Sequence, residues 1–78
     1  MLTSAQIRAA RALLNWTVRD LAERASVHRN TITRAETDAT GPGYATLAIR
    51  AALEEGGVEF IAENGGGPGV RLGKGKSK

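Results

Sequence analysis

The side chains with the clearest chemistry lie close together near the middle of the chain. Arg29, Asn30, Thr33 and Arg34 fall within one short segment. Arginine pairs with guanine through two hydrogen bonds, asparagine does the same with adenine, and threonine offers a base either a hydroxyl or a methyl group. A helix that shows these side chains to solvent can enter the major groove of DNA. We therefore predict that these four residues contact bases.

Two short helices must position that polar segment, and the apolar pattern predicts both of them. The first covers residues 18–25 and the second residues 28–37, with a tight turn between them. Their inner positions are apolar or small at roughly helical spacing: Leu21, Ala22, Ala25, Val27, Ile32 and Ala35. We expect a buried contact between Leu21 and Ile32 that turns the polar side of the second helix outward.

Residues at the beginning of each helix are candidates for contacts with the DNA backbone. Thr17 has the form of an N-cap with Asp20 three positions later, so a helix begins there. The N-terminus of a helix favours an anion. We predict that Thr17 and Arg19 hold a phosphate, and that His28 begins the second helix or contacts a phosphate itself.

The segment resembles the helix-turn-helix of Cro and phage-repressor proteins, also called the xenobiotic-response-element type. The resemblance rests on WTVRDLAERASV, on Thr31-Ile32 followed by Arg34, and on Glu36 at the end of the second helix. It implies that the helix over residues 28–37 is the recognition helix. Two positions depart from the family pattern. Val18 stands where glutamine is usual, and Ser26 stands at the turn where the family has a glycine with positive φ.

The composition sets limits on the partners and on the chemistry. Eleven Lys and Arg against eight Asp and Glu give 78 residues a net charge of +3, which suits a polyanionic partner without identifying it. The chain has no cysteine and one histidine, so we expect no disulfide, no metal and no cofactor. No arrangement of a nucleophile with a base is visible, and we predict that the protein is not an enzyme.

The flanking sequence predicts a mostly α fold of four to five short helices plus a C-terminal β-hairpin. Thr3 and Gln6 form a capping-box pattern for a helix that ends near Asn15. A turn-forming cluster at residues 38–43 precedes a last helix over residues 44–55, closed by Gly56 or Gly57. We predict four core residues on that last helix: Leu47, Ile49, Ala52 and Leu53.

The C-terminal part changes from a helical pattern to an alternating one. Residues 58–61 and 70–72 predict two strands joined by a glycine-rich loop. We therefore divide the chain into a helical domain over residues 1–57, a hairpin over 58–72 and a disordered basic tail over 73–78. The hairpin either folds back on the last helix or pairs with a second copy. For the dimer we predict contacts through its apolar residues: Val58, Phe60, Ile61, Val70 and Leu72.

Together these features predict a sequence-specific regulator of transcription that binds double-stranded DNA. We expect a cytoplasmic homodimer, with no membrane segment, that binds a pseudo-palindromic operator and represses by covering a promoter. One alternative is the antitoxin of a toxin–antitoxin pair, with a toxin as partner. Another is an adaptor that uses the same motif to dock proteins. Binding to random duplex DNA over a salt series separates the adaptor from the regulator.

Overall fold

Four helices and one hairpin make up the described part of the chain. The computed structural model describes residues 2–37, 43–62 and 65–73. The elements are α1 (Ser4–Leu13), α2 (Val18–Ala25), α3 (Arg29–Ala35), α4 (Gly43–Glu55), β1 (Val58–Ile61) and β2 (Gly69–Leu72). This confirms the mostly α fold with a C-terminal β-hairpin. Most of the predicted turn at 38–43 and the basic tail from residue 74 lie outside the described residues.

The capping box predicted at Thr3 and the N-cap predicted at Thr17 are both confirmed, and each is a complete capping box that fixes where its helix begins. The hydroxyl oxygen of Thr3 accepts from the Gln6 N–H at 3.1 Å, and the Thr3 N–H donates to the Gln6 side chain at 2.9 Å. Thr17 and Asp20 make the same exchange at the start of α2, at 3.0 and 2.9 Å. Each box satisfies two backbone N–H groups that a helix end otherwise leaves unpaired.

The core lies where the inner faces of all four helices meet. Its largest completely buried side chains are Ile7, Leu21, Ile32, Ile49 and Leu53. The prediction for Leu47 was wrong, because its side chain is 69% exposed. Leu47 precedes Ile49 by two residues, which is about 200° around a helix, so the two side chains cannot share a face.

The hairpin packs on its own helices. Val58 pairs with Leu72 and Phe60 with Val70 in an antiparallel register, and β1 contacts α4 while β2 contacts α1. Val58 is only 3% exposed and belongs to the core of its own chain. Of the predicted dimer contacts, Val58 therefore cannot meet a second copy without leaving that core.

Gln6 connects the first helix to the hairpin, a role that its place in a capping box did not reveal. Its side-chain Nε2 donates to the carbonyl of Gly69 at 3.0 Å and lies 3.4 Å from that of Ile61. Gln6 is 5% exposed, and these bonds satisfy an amide that would be costly to bury alone. The loop end of the hairpin is thereby fixed to α1.

Trp16 fills the space between the α1–α2 turn and the end of α4. The turn is closed by Asn15, whose φ of 59° is left-handed. The guanidinium of Arg24 lies 4.4 Å from the centre of the Trp16 ring. Below the ring, a Cβ atom added at Gly56 would lie 2.7 Å from Trp16 Cη2 and 2.8 Å from Leu14 Cδ1. Position 56 therefore requires glycine, because a Cβ atom there would clash with the side chains of Trp16 and Leu14.

We predict that Gly56→Ala lowers the free energy of unfolding by about 1–3 kcal/mol, because the methyl group overpacks this contact. Gly43→Ala is the matched control, since a Cβ at the first residue of α4 meets nothing within 4 Å. There the change should be neutral or stabilise by up to about 1 kcal/mol. Urea denaturation of both variants measures this, and equal effects would contradict the packing assigned to Trp16.

Candidate nucleic-acid interface

The turn between α2 and α3 is made by a serine in a left-handed conformation. Ser26 is the C-cap of α2, with φ 58° and ψ 43°. Serine pays a steric cost in this region that glycine does not. The turn is held by the Val27 N–H, which donates to the carbonyl of Ala22 at 3.0 Å. Ser26 therefore adopts the left-handed conformation that was expected of a glycine at this turn.

The inner face of the two helices is buried as the apolar pattern predicted. Leu21 and Ile32 are both completely buried, and Val27 packs at the edge of the same core. The smaller residues around them are Ala22, Ala25 and Ala35, each less than one tenth exposed. This confirms that Leu21 and Ile32 are buried in one core, and we call this part of the core the buried seam between α2 and α3. Only the opposite side of α3 is then open to solvent.

The four predicted base-contacting residues lie on that exposed side. Arg29, Asn30, Thr33 and Arg34 are all exposed. Within the described residues, neither arginine forms an ion pair. The Thr33 hydroxyl donates to the Arg29 carbonyl at 3.2 Å, so it remains an acceptor whose methyl group is accessible. The structure thus brings together two arginines, an amide and a methyl group on one short helix.

His28 is the N-cap of α3. Its Nδ1 accepts a hydrogen bond from the Asn30 N–H at 3.0 Å, so in this geometry Nδ1 carries no proton. In the neutral ring the proton is then on Nε2, which can donate to an acceptor outside the chain. His28 therefore begins the helix, as predicted, and keeps a donor for an external phosphate.

Thr17 and Arg19, the predicted phosphate contacts near the start of α2, differ in how readily they can bind an external anion. The Thr17 N–H already donates to Asp20, and the backbone and side chain of Thr17 lower the pKa of that carboxyl. The Thr17 N–H is therefore used within the chain, and the Thr17 hydroxyl can donate to an external anion only by giving up its contact with the Asp20 carboxylate. Arg19 is exposed and lies 3.5 Å from Glu23 in a solvated pair. Such a pair is weak, so Arg19 can exchange Glu23 for a phosphate.

An open cleft brings Arg19 and His28 together with Arg29 on one surface. It lies between α2 and the start of α3 and is lined by Arg19, Ala22, Glu23, Val27, His28 and Arg29. The candidates for phosphate contact and for base contact are thus neighbours. We call the exposed residues Arg19, His28, Arg29, Asn30, Thr33 and Arg34 the polar face.

An ion pair that the sequence did not reveal fixes the far end of α3. Arg11 Nε and Nη2 lie 2.6 and 3.1 Å from the two carboxylate oxygens of Glu36, and Nη1 donates to the Trp16 carbonyl at 3.0 Å. Arg8 donates to the Glu36 backbone carbonyl. Glu36 is 8% exposed, and its carboxylate raises the pKa of Arg11. The spacing of Arg8 and Arg11 by one helical turn is the only signal that sequence offered.

Two further features of the described ranges concern metal binding and membranes. No group of three or more His, Cys, Asp or Glu residues there is placed to hold a metal ion. No helix in the same ranges is long and apolar enough to span a bilayer.

Comparison with known proteins identifies the central part of the chain. A family model described as helix-turn-helix matches residues 7–56, which is more than half of the chain and contains α1 from Ile7 together with α2, α3 and α4. No curated protein matches the chain.

We predict that Arg11→Met lowers the free energy of unfolding by about 2–4 kcal/mol, because it leaves the Glu36 carboxylate buried without its cation. Adding Glu36→Gln should recover more than half of that loss, since no charge is then left unpaired. Arg50→Met is the control, because it breaks the solvated pair with Glu54 and should cost under about 1 kcal/mol. Urea denaturation of Arg11→Met, Glu36→Gln, the double variant and Arg50→Met measures the coupling, and simple additivity of the Arg11 and Glu36 changes would contradict it.

Proposed function

The chain belongs to the Cro/C1-type helix-turn-helix family of DNA-binding regulators, and we propose that it is a sequence-specific repressor of transcription. In this proposal α3 lies in the major groove of double-stranded DNA. Arg29, Asn30, Thr33 and Arg34 contact bases, while Thr17, Arg19 and His28 contact phosphates. The observation that carries the proposal is the polar face: its base-contact candidates are exposed on a helix whose opposite side is buried.

The order of the residues along α3 supports separate roles. Arg29 and Asn30 occupy the first turn, which is the end of a recognition helix that reaches base edges. Arg34 lies one turn beyond Asn30 and reaches either a base or a phosphate. Arg19 projects from the neighbouring helix, so it meets the backbone beside the groove.

We infer that two copies act together on a pseudo-palindromic operator. A helix of seven residues reads too few bases to select one site in a genome, and a dimer doubles the number that is read. The two copies of α3 would then enter successive major grooves about 34 Å apart. A dimer bound over a promoter represses by excluding other proteins from it.

The sharpest test separates base contacts from phosphate contacts. Fragments selected from random DNA first define the operator. On that operator Arg29→Ala should cost about 1–3 kcal/mol and relax specificity at one base position, because a bidentate contact is lost. Arg19→Ala should weaken binding to all sequences alike and reduce the slope of log K against log salt by about 1.

Arg50→Ala is the matched control for both, since Arg50 lies on α4 and pairs with Glu54. It should leave affinity and salt slope unchanged. If Arg29→Ala and Arg19→Ala lowered affinity equally on operator and random DNA, the division of the polar face into base and phosphate contacts would be wrong. If the wild-type chain bound no duplex even at low salt, the repressor proposal itself would be overturned.

A further inference from the structure

His28 accepts three hydrogen bonds at the beginning of α3. Its carbonyl accepts from the N–H groups of Thr31 and Ile32, at 2.9 and 3.4 Å. Its ring Nδ1 accepts from the Asn30 N–H at 3.0 Å. Ile32 is also anchored by its side chain, which is completely buried in the seam. The ring of His28 therefore has one specific task, which is to hold the backbone of Asn30.

The position of the Asn30 amide depends on this bond. The Asn30 side chain is exposed and makes no hydrogen bond with any residue that the structure describes. An amide that reads adenine needs its oxygen and its nitrogen placed together, because both take part in the bidentate contact. The placement of these two atoms is therefore set by the Asn30 backbone, and that backbone is held by the imidazole of His28.

The bond from Asn30 to the ring exists only while the ring is neutral. Nδ1 accepts through a lone pair, and protonation of the ring turns that nitrogen into a donor. An N–H of the imidazolium would then face the N–H of Asn30, so the ring must turn away. Histidine is the side chain whose charge ordinarily changes between about pH 5 and 8, and His28 is the one histidine of the chain.

Three charged side chains line the cleft beside His28. Arg19 and Glu23 come from α2, and Arg29 comes from α3. The two arginines disfavour a positive charge on the ring, and Glu23 favours it. A phosphate that enters the cleft adds a second negative charge, to which an imidazolium donates a charge-assisted hydrogen bond. The backbone of bound DNA therefore favours the protonated ring, which cannot cap α3.

We propose that His28 determines how strictly the protein discriminates between its operator and random DNA, and that the charge on the ring sets this discrimination. The neutral ring caps α3 and holds Asn30 in the position that reads a base. The protonated ring leaves the cap and pairs with a phosphate as a cation, which strengthens binding to every sequence alike. His28 is thus a positioning residue for Asn30, and this inference rests on the proposed function of α3.

Acid should have opposite effects on the two kinds of binding. Affinity for random DNA should rise, because an imidazolium neutralises one more phosphate and steepens the slope of log K against log salt by about 1. The ratio of the affinities for operator and random DNA should fall, since the phosphate contact is common to both and cancels. One bidentate base contact discriminates by about 5- to 150-fold, so we expect the ratio to fall at least about fivefold.

The test compares the wild type with two variants at about pH 8 and about pH 5.5, on the selected operator and on random duplex. His28→Asn is the matched control, because an asparagine oxygen caps a helix without titrating. Its ratio should equal that of the wild type at the higher pH and stay constant at the lower one. His28→Ala has no acceptor, so its ratio should be low at both. Any other group that titrates is present in all three chains and cannot produce this difference.

A measurement on the free chain examines the cap without DNA. In the ¹⁵N-labelled wild type the amide signal of Asn30 should move with the ring signals of His28 and share their midpoint, because one proton controls both. In His28→Asn the amide of Asn30 should not move over the same pH range. An Asn30 amide that does not respond when the ring titrates would show that the ring makes no cap in solution, which would overturn the inference.

The binding results separate this inference from the repressor proposal. A fall of the ratio in the wild type, with a constant ratio in His28→Asn, supports both. A wild-type ratio that is the same at both pH values, or that falls equally in His28→Asn, would overturn the role of His28 and leave the repressor proposal standing. Absence of binding to any duplex at low salt would overturn the repressor proposal and this inference with it.

Discussion

The arrangement of this domain depends on the ion pair between Arg11 and Glu36. Helix α3 has only seven residues, of which Ile32 and Ala35 are buried. Burying one isoleucine contributes about 1.5–3 kcal/mol, which holds the middle of a short helix but does not fix its direction. The two-point contact of Arg11 with Glu36 fixes the far end, and its bond to the Trp16 carbonyl ties the same guanidinium to the approach to α2. One arginine of α1 therefore links the end of α3 to the turn before α2.

The near end of α3 is fixed by local chemistry. Ser26 makes the left-handed turn and His28 caps the helix through Nδ1. This cap satisfies the N–H of Asn30 and fixes the first turn, where Arg29 and Asn30 lie. Arg29 and Arg34 are held by the backbone beneath them and by no ion pair among the described residues. This leaves their guanidinium groups available to an incoming anion, and the positive net charge of the chain favours that encounter.

The sequence predicted what depends on local pattern and missed what depends on contacts between distant residues. Thr3, Thr17 and the Leu21 and Ile32 seam follow from spacing within one or two turns, and all were confirmed. Leu47 was misplaced because an apolar residue on a helix does not by itself show which face is buried. The bonds of Gln6 to β2 and of Arg11 to Glu36 join residues 63 and 25 positions apart. No periodicity within a segment predicts such contacts.

The Arg11 and Glu36 pair, together with the buried Leu21 and Ile32 seam, turns the polar face outward, where it can meet DNA. A titration of the ¹⁵N-labelled chain with a short random duplex at low salt tests it most directly, since phosphate contacts do not require the operator. We expect the amide shifts of residues 17–19 and 28–34 to change and those of the hairpin to stay the same. Shift changes centred on α4 or the hairpin, with α3 silent, would contradict it.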